Sequence, residues 1–134
     1  MTAEREKLML QAAVALAALV PLSMGLTSVI EGPSILRGVD VPVPVDLDSH
    51  FRYLSGLLLG IGLAFVACIP GIERRETLFR TLSLIVVVGG LSRLLSLASV
   101  GAPGDGHKFG LAMELVVVPL IMLWQLRVAR RLAA

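Results

Sequence analysis

Arg93 and Glu114 are the two charged residues that hydropathy places inside a membrane, on either side of the short loop 101–107. An ionisable side chain at bilayer depth costs at least about 2.5 kcal/mol, so it normally faces a partner or a water-filled cavity. Arginine donates two parallel hydrogen bonds to a carboxylate or a phosphate group. These residue types therefore predict an ion pair. Together with other polar side chains nearby, they also predict a binding site for an anion.

The spacing of the two charges predicts that they pair. Arg93 lies six residues before Ser99, where its apolar stretch ends, and Glu114 lies six residues after Lys108, where the next stretch begins. At a rise of about 1.5 Å per residue, both lie about 9 Å below the same membrane surface. A short loop makes the two helices neighbours, so an Arg93–Glu114 ion pair is expected. Such a pair can serve only to fix helix register, because buried pairs are often neutral for stability.

Other polar residues are predicted to collect on the same side of the membrane. Convergent polar groups in one half of a small helical bundle are typical of a ligand pocket. We therefore expect a site that binds or transports a small polar or anionic ligand or a lipid headgroup. Its candidate residues are Arg52, Arg93, Glu114, His50 and Glu31.

Two alternative functions stay open. The first is a structural or accessory membrane subunit in which Arg93–Glu114 only pins helix packing. The second, ranked lower, is an intramembrane enzyme with Glu114 or His50 as general base. No nucleophile elbow, phosphate-binding loop, dinucleotide fingerprint or paired-cysteine motif is present, so no catalytic residue and no cofactor is predicted.

A metal site is not predicted. His50, Asp46, Asp48 and Glu31 include the ligand types of a hard or borderline cation site, but no compact spacing such as H-E-x-x-H occurs. Asp46 is expected to solvate its loop, and Asp48 or Ser49 is suited to cap the helix that follows.

Composition identifies the chain as a membrane protein. Apolar residues make up 56% of the 134 residues, and the mean hydropathy is +0.87. This apolar content is higher than that of soluble domains, in which about half of the residues are apolar. Four windows are long enough to cross a bilayer, at about 8–30, 49–70, 78–99 and 108–126. We predict an all-α membrane protein with one domain over 1–134, built as an antiparallel bundle of four transmembrane helices. The Pro-rich loop 31–48 is either a lid over the helix ends or a mobile surface loop.

The distribution of basic residues predicts the orientation. Eight of the 12 Lys and Arg residues flank one side of the predicted spans. Because the basic residues lie at helix ends and not on one polar face, a nucleic-acid partner is not expected. By the positive-inside rule both termini are cytoplasmic and the loop 31–48 is extracytoplasmic. The eight are Arg5, Lys7, Arg74, Arg75, Arg80, Arg127, Arg130 and Arg131. A multi-pass protein of the bacterial inner membrane, with the lipid bilayer as partner, is expected.

Glycines at helical spacing predict close helix packing. Gly56 and Gly60 form a small-residue ridge with Arg52 and Ala64 at four-residue intervals, and Gly89 shares the polar face of Arg93. The spacing leaves open whether the partner helix belongs to the same chain or to a second copy. A homo-oligomer is therefore a possible assembly.

Three segments carry a family resemblance: H-F-R-Y-L-S-G-L-L-L-G-I-G-L, L-F-R-T-L-S-L-I-V-V-V-G-G-L-S-R-L-L-S-L with the following G-A-P, and A-M-E-L in the last span. Together they resemble the small bacterial four-helix membrane proteins grouped as domain of unknown function four-three-four-five. The resemblance covers nearly the whole chain and implies a four-helix membrane fold, with Arg52, Arg80, Arg93 and Glu114 at matching positions. It implies no activity. The similarity to DoxX-like four-helix proteins is looser and architectural.

Overall fold

A computed structural model describes all 134 residues, and every regular element in it is helical. The four long helices are α1 (Ala3–Glu31), α2 (Val45–Cys68), α3 (Glu76–Ser99) and α4 (Asp105–Ala133). Each is long and apolar enough to cross a membrane, with a mean hydropathy between 1.8 and 2.1 over its best window. The all-α membrane fold with four spans is confirmed. The antiparallel arrangement, the single domain and the placement of the termini stay predictions.

All four helices begin earlier than predicted, α1 by five residues, α2 by four, α3 by two and α4 by three, and α4 also ends seven residues later. α2 begins at Val45, directly after Pro44, four residues earlier than expected. Asp48 therefore lies inside the first turn instead of capping it, and the predicted cap at Asp48 or Ser49 is wrong. Pro44 itself keeps an extended backbone, with a φ of −56° and a ψ of 135°, and marks the boundary before the first helical residue. α4 begins at Asp105, where a carboxylate complements the partial positive charge of a helix N-terminus.

α4 contains one wide turn. Residues Met113–Val117 form a π-helical segment, in which the amide of Val118 donates to the carbonyl of Met113 five residues earlier. Pro119 follows at once, and a proline has no amide hydrogen and its ring presses on the carbonyl four residues before it. The wide turn relieves that conflict without ending the helix.

Contacts along the chain group it into two units, which are described separately. The first contains Met1–Ala13 and Pro70–Ala134. Its core lies among the start of α1, the short 3₁₀ turn Ile72–Arg74, α3 and α4. The apolar side chains that are at most 8% exposed there are Leu10, Ile72, Phe79, Leu82, Val128 and Ala129.

The second unit, Val14–Ile69, packs the rest of α1 against α2. Two glycines permit this close approach. A Cβ added to Gly25 would lie 2.8 Å from the backbone nitrogen of Leu59, and one added to Gly62 would lie 3.1 Å from Leu22. The contact at Gly25 is with backbone and is closer than a Cβ can accept, whereas an alanine at Gly62 would require the side chain of Leu22 to shift slightly.

The connection between α1 and α2 contains a 3₁₀ turn, Pro33–Ile35, and a cis peptide bond between Val41 and Pro42. Pro33 is buried, whereas Val41 and Val45 are 79% and 81% exposed. These two valines therefore do not cover the helix ends. Whether the segment acts as a lid stays a prediction.

Candidate functional site

Arg93 and Glu114 form a two-point ion pair between α3 and α4. The Nε of Arg93 donates to Oε2 of Glu114 at 3.0 Å, and its Nη2 donates to Oε1 at 3.1 Å. This is the side-on fork geometry that makes arginine–carboxylate pairs both strong and directional. The side chains are 33% and 18% exposed, so the pair is partly buried.

Gly90 makes room for this pair, and Gly110 lies beside it at ordinary contact distance. A Cβ on Gly90, one turn before Arg93, would lie 2.8 Å from the Cβ of Glu114 and 2.8 Å from Cδ2 of Leu115. Gly110, one turn before Glu114, lies under the guanidinium, which would be 3.7 Å from an added Cβ. The backbones of α3 and α4 can therefore approach closely at the charges. Glu114 itself belongs to the π segment, a feature found often at functional sites.

His107 completes the cluster. Its Nδ1 lies 3.0 Å from Nη1 of Arg93. A guanidinium can only donate hydrogen bonds, so Nδ1 must accept, which places the ring hydrogen of a neutral His107 on Nε2. His107, Gly110 and Glu114 are spaced by three and four residues and share one face of α4.

Arg93 is not saturated by these contacts. A guanidinium carries five N–H donors, and the structure assigns one on each of its three nitrogens. Two donors remain, on a side chain that is one-third exposed. The arrangement can hold an oxygen acceptor beside a fixed ion pair. The hydroxyls of Ser92 and Ser99 play no part, since each bonds a carbonyl of its own helix.

Arg52 belongs to a different cluster, in the second unit. Its Nε donates to Oδ2 of Asp48 at 2.8 Å, and its Nη1 donates to the carbonyls of Val29 and Ile30. The last carbonyls of a helix lack partners within it and carry partial negative charge. Arg52 therefore caps the C-terminus of α1 from the neighbouring helix.

Gly32 accommodates this cap. It has a φ of 75°, a left-handed conformation that favours glycine. A Cβ there would lie 2.6 Å from Nη2 of Arg52 and 2.9 Å from Oδ1 of Asp48. The turn that ends α1 is thus folded directly onto the arginine.

The predicted site residues divide between the two clusters. Arg93 and Glu114 are in contact, as their spacing predicted. Arg52 instead contacts Asp48 and the end of α1, near Glu31, which is exposed, and His50 is also exposed. A shared ligand site for all five residues stays a prediction.

The small-residue ridge has open space beside it. Nothing lies within 4 Å of a Cβ added to Gly56, Gly60 or Gly89. The glycines that do permit close approach are Gly25, Gly62 and Gly90. Gly56, Gly60 and Gly89 are therefore not packed closely against another part of this chain. A helix-packing role for them stays a prediction.

A buried polar network at the other end of the first unit was not predicted from the sequence. Glu6 is 3% exposed and lies between Arg127 and Arg131. Gln125 is fully buried and donates through Nε2 to the carbonyl of Ile72 at 2.8 Å, while its Oε1 is buried without a partner. The available signal was the placement of Glu6, the nearer of two acids before an apolar span, together with Gln125 inside the last span.

A second ion pair joins the same end. Nζ of Lys7 lies 3.1 Å from Oε2 of Glu73 in the 3₁₀ turn. Burial opposes ionisation of Glu73, but its own backbone amide, Lys7 and Arg74 together outweigh it, so the pKa of Glu73 lies below its ordinary value. The carboxylate is therefore held in its charged form. No group of three or more His, Cys, Asp or Glu side chains suited to a metal ion is present.

The family comparison agrees with the resemblance described above. A family model described as Domain of unknown function (DUF4345) matches residues 9–125. No curated protein and no solved structure matches the chain significantly. The looser similarity to DoxX-like proteins stays a prediction.

Proposed function

Because the chain belongs to the DUF4345 family, whose description states no activity, we propose a function from the chemistry of its polar site. The protein is a small integral membrane protein that binds, through Arg93, a polar or anionic ligand or a lipid headgroup bearing a carboxylate or phosphate oxygen. Glu114 and His107 hold the guanidinium in place, and its two unassigned N–H donors contact the ligand.

The observation that carries this proposal is the exposed part of Arg93. About a third of the side chain is uncovered, at a predicted depth of about 9 Å below the membrane surface. A charged group facing hydrocarbon costs at least about 2.5 kcal/mol. A polar occupant or water must cover that part of the guanidinium, and an oxyanion fits the remaining donors best.

Thermal unfolding of the purified chain in detergent, with increasing inorganic phosphate or acetate, tests the proposal. A ligand present at 100 times its dissociation constant stabilises a protein by about 2.7 kcal/mol, so the melting temperature is expected to rise with the anion that fits. Arg93→Lys keeps the charge but removes the fork, and is expected to abolish the rise. Arg37→Lys, an exposed arginine in the second unit, is the matched control.

The result that would contradict the proposal is equally direct. If phosphate, acetate and vesicles bearing anionic headgroups all fail to stabilise the folded wild-type chain more than Arg93→Lys, Arg93 binds none of these oxyanions. A rise of the same size in both proteins would likewise place the anion elsewhere. Transport and an oligomeric assembly are further parts of this proposal, and uptake into proteoliposomes addresses the first.

A structural role is the second candidate, and the two-point geometry favours it. Both carboxylate oxygens of Glu114 are engaged by Arg93, and Gly90 lies directly against Glu114. Exchanging the charges, with Arg93→Glu and Glu114→Arg together, distinguishes the two functions. A pair that only pins packing should recover part of the stability lost in either single variant, whereas oxyanion binding should stay lost.

A further inference from the structure

The strongest unassigned feature lies where α1 begins and α4 ends. Glu6 is buried, and its Oε1 lies 3.1 Å from Nε of Arg127, while its Oε2 accepts a hydrogen bond from Nη1 of Arg131. Nη2 of Arg131 also donates to the carbonyl of Met1 at 3.4 Å. One buried carboxylate thus fixes two arginines from the last turns of α4. Leaving such a carboxylate without partners would be costly, so the arrangement is firmly held.

These arginines keep most of their donors. Arg127 uses only its Nε in the ion pair and is 67% exposed, and Arg131 is 39% exposed. Arg130 lies between them in sequence, is exposed and forms no ion pair. Two of the guanidinium groups share the carboxylate of Glu6 and the third has no acidic partner, so the three arginines together carry an excess of positive charge. It can therefore accept an anion with several charge-assisted hydrogen bonds.

An apolar surface adjoins this cluster. Leu8 and Met9 on α1 are 64% and 52% exposed, and Leu120 and Leu123 on α4 are 60% and 58% exposed. Leu120 and Leu123 precede Arg127 by seven and four residues and therefore share its face of α4, toward the middle of the helix, and Leu8 and Met9 follow Glu6 on α1. Anionic groups recognised here would thus be attached to hydrocarbon chains. Basic clusters at the ends of membrane helices bind anionic lipid headgroups for this reason.

We propose that Arg127, Arg130 and Arg131 bind the phosphate of an anionic phospholipid, with Glu6 as the residue that positions two of the arginines. The acyl chains lie along the exposed apolar residues of α1 and α4. The positive-inside rule predicts that this lipid belongs to the cytoplasmic leaflet. This site is separate from Arg93, because Glu114 and Arg127 are 13 residues apart on α4, or about 20 Å.

Native mass spectrometry of the full chain in detergent, with phosphatidylglycerol and phosphatidylcholine of identical acyl chains, tests the site. The wild type is expected to retain phosphatidylglycerol preferentially. Each arginine near an anionic surface contributes a factor of about five. Arg130→Gln, which removes no ion pair of the fold, is therefore expected to lower the preference about fivefold, and Arg127→Gln with Arg130→Gln to lower it further.

Arg37→Gln with Arg80→Gln is the matched control, because it removes the same charge from other exposed positions. It is expected to keep the preference. Equal binding of the two lipids by the wild type, or an equal loss in the control, would overturn the proposal. Inorganic phosphate that displaces phosphatidylglycerol at equal concentration would also overturn it, since the site would then recognise a free anion.

Glu6→Gln examines the positioning role. Removing a negative charge from a purely electrostatic site would strengthen binding of an anion. If Glu6 holds the arginines in place, the preference for phosphatidylglycerol falls instead, and Glu6→Asp restores part of it. An increased preference in Glu6→Gln would show that Glu6 does not position the arginines.

Discussion

The guanidinium of Arg93 engages both carboxylate oxygens of Glu114, at 3.0 and 3.1 Å, across 21 residues of sequence. A third contact ties the same guanidinium to His107. These contacts offset part of the cost of placing the two charges at their predicted depth in a membrane. About a third of the Arg93 side chain stays exposed and is not covered by these contacts. This exposed part is what would let Arg93 bind a ligand, in addition to holding α3 and α4 together.

Removal of the Glu114 charge should destabilise the first unit. Glu114→Gln leaves Arg93 with neutral acceptors only, and we expect a loss of about 1–3 kcal/mol in the free energy of unfolding, because breaking a partly buried pair leaves an uncompensated charge. His107→Ala should cost less, about 0.5–1.5 kcal/mol, since one hydrogen bond is lost. Denaturant unfolding in detergent measures both.

Glu76→Gln is the control for that measurement. Glu76 pairs with Arg80 one turn away at 3.6 Å, and both side chains are nearly half exposed. Exposed pairs of this kind contribute about 0.3–0.5 kcal/mol. Equal losses in Glu114→Gln and Glu76→Gln would mean that the Arg93–Glu114 pair contributes no more than a surface pair.

Adjacent glycines on α3 should respond oppositely to alanine. A Cβ on Gly90 would lie 2.8 Å from atoms of Glu114 and Leu115, whereas a Cβ on Gly89 would meet nothing within 4 Å. Gly90→Ala is expected to cost about 1–3 kcal/mol because α3 and α4 must separate. Gly89→Ala should be neutral or stabilising by up to about 1 kcal/mol, through helix propensity. Similar unfolding curves for the two variants would refute the close approach.

Arg52→Lys should loosen the end of α1. Lysine keeps the charge but cannot bond Asp48 and the carbonyls of Val29 and Ile30 together. We expect faster amide hydrogen exchange at Gly32, whose N–H bonds the carbonyl of Ser28, and a loss of about 1–2 kcal/mol. Exchange at Gly32 that matches the wild type would show that lysine can supply the cap.

The Lys7–Glu73 pair should make stability fall in acid. The pKa of Glu73 lies below the ordinary value of 4.5, since its backbone amide and Lys7 outweigh the effect of burial. A lowered folded-state pKa means that its contribution is complete above the unfolded pKa and disappears as the pH falls through the folded value. Wild type and Glu73→Gln should therefore differ in melting temperature at pH 6 and converge only as the pH falls from 4.5 through the lower folded-state pKa. A difference that persists at the lowest pH would exclude ionisation of Glu73 as its cause.

Much of the fold was predictable because membrane helices are specified by length and hydropathy. The Arg93–Glu114 pair was predictable as well, since equal depth on consecutive spans leaves few other partners. The start of α2 was not, because helix caps depend on local backbone geometry, and Pro44 opened the helix before the expected polar residue.

The contacts of Arg52 could not be predicted from the distribution of charges between the two sides of the membrane. Its sequence position predicted only that it lies near the same membrane surface as Arg93. The structure pairs it with Asp48 and the open carbonyls of α1, acceptors that a search for charged side chains does not consider. Glu6 was missed for a related reason, because its arginine partners lie more than 120 residues away in sequence.

The π segment of α4 gives the helix a change of phase. Each wide turn contains about one residue more than an α-helical turn, so residues before Met113 and after Val117 are rotated relative to the positions that an uninterrupted α-helix would give them. The deletion of one residue within 113–117 would restore regular winding and keep the face carrying His107 and Gly110 in nearly its present alignment with the face carrying Gln125 and Val128, because the wide turn already absorbs about one residue. The same sequence wound without the wide turn would instead rotate its two polar ends by about 100° relative to each other, so an irregularity one residue in size sets which faces of α4 share a side.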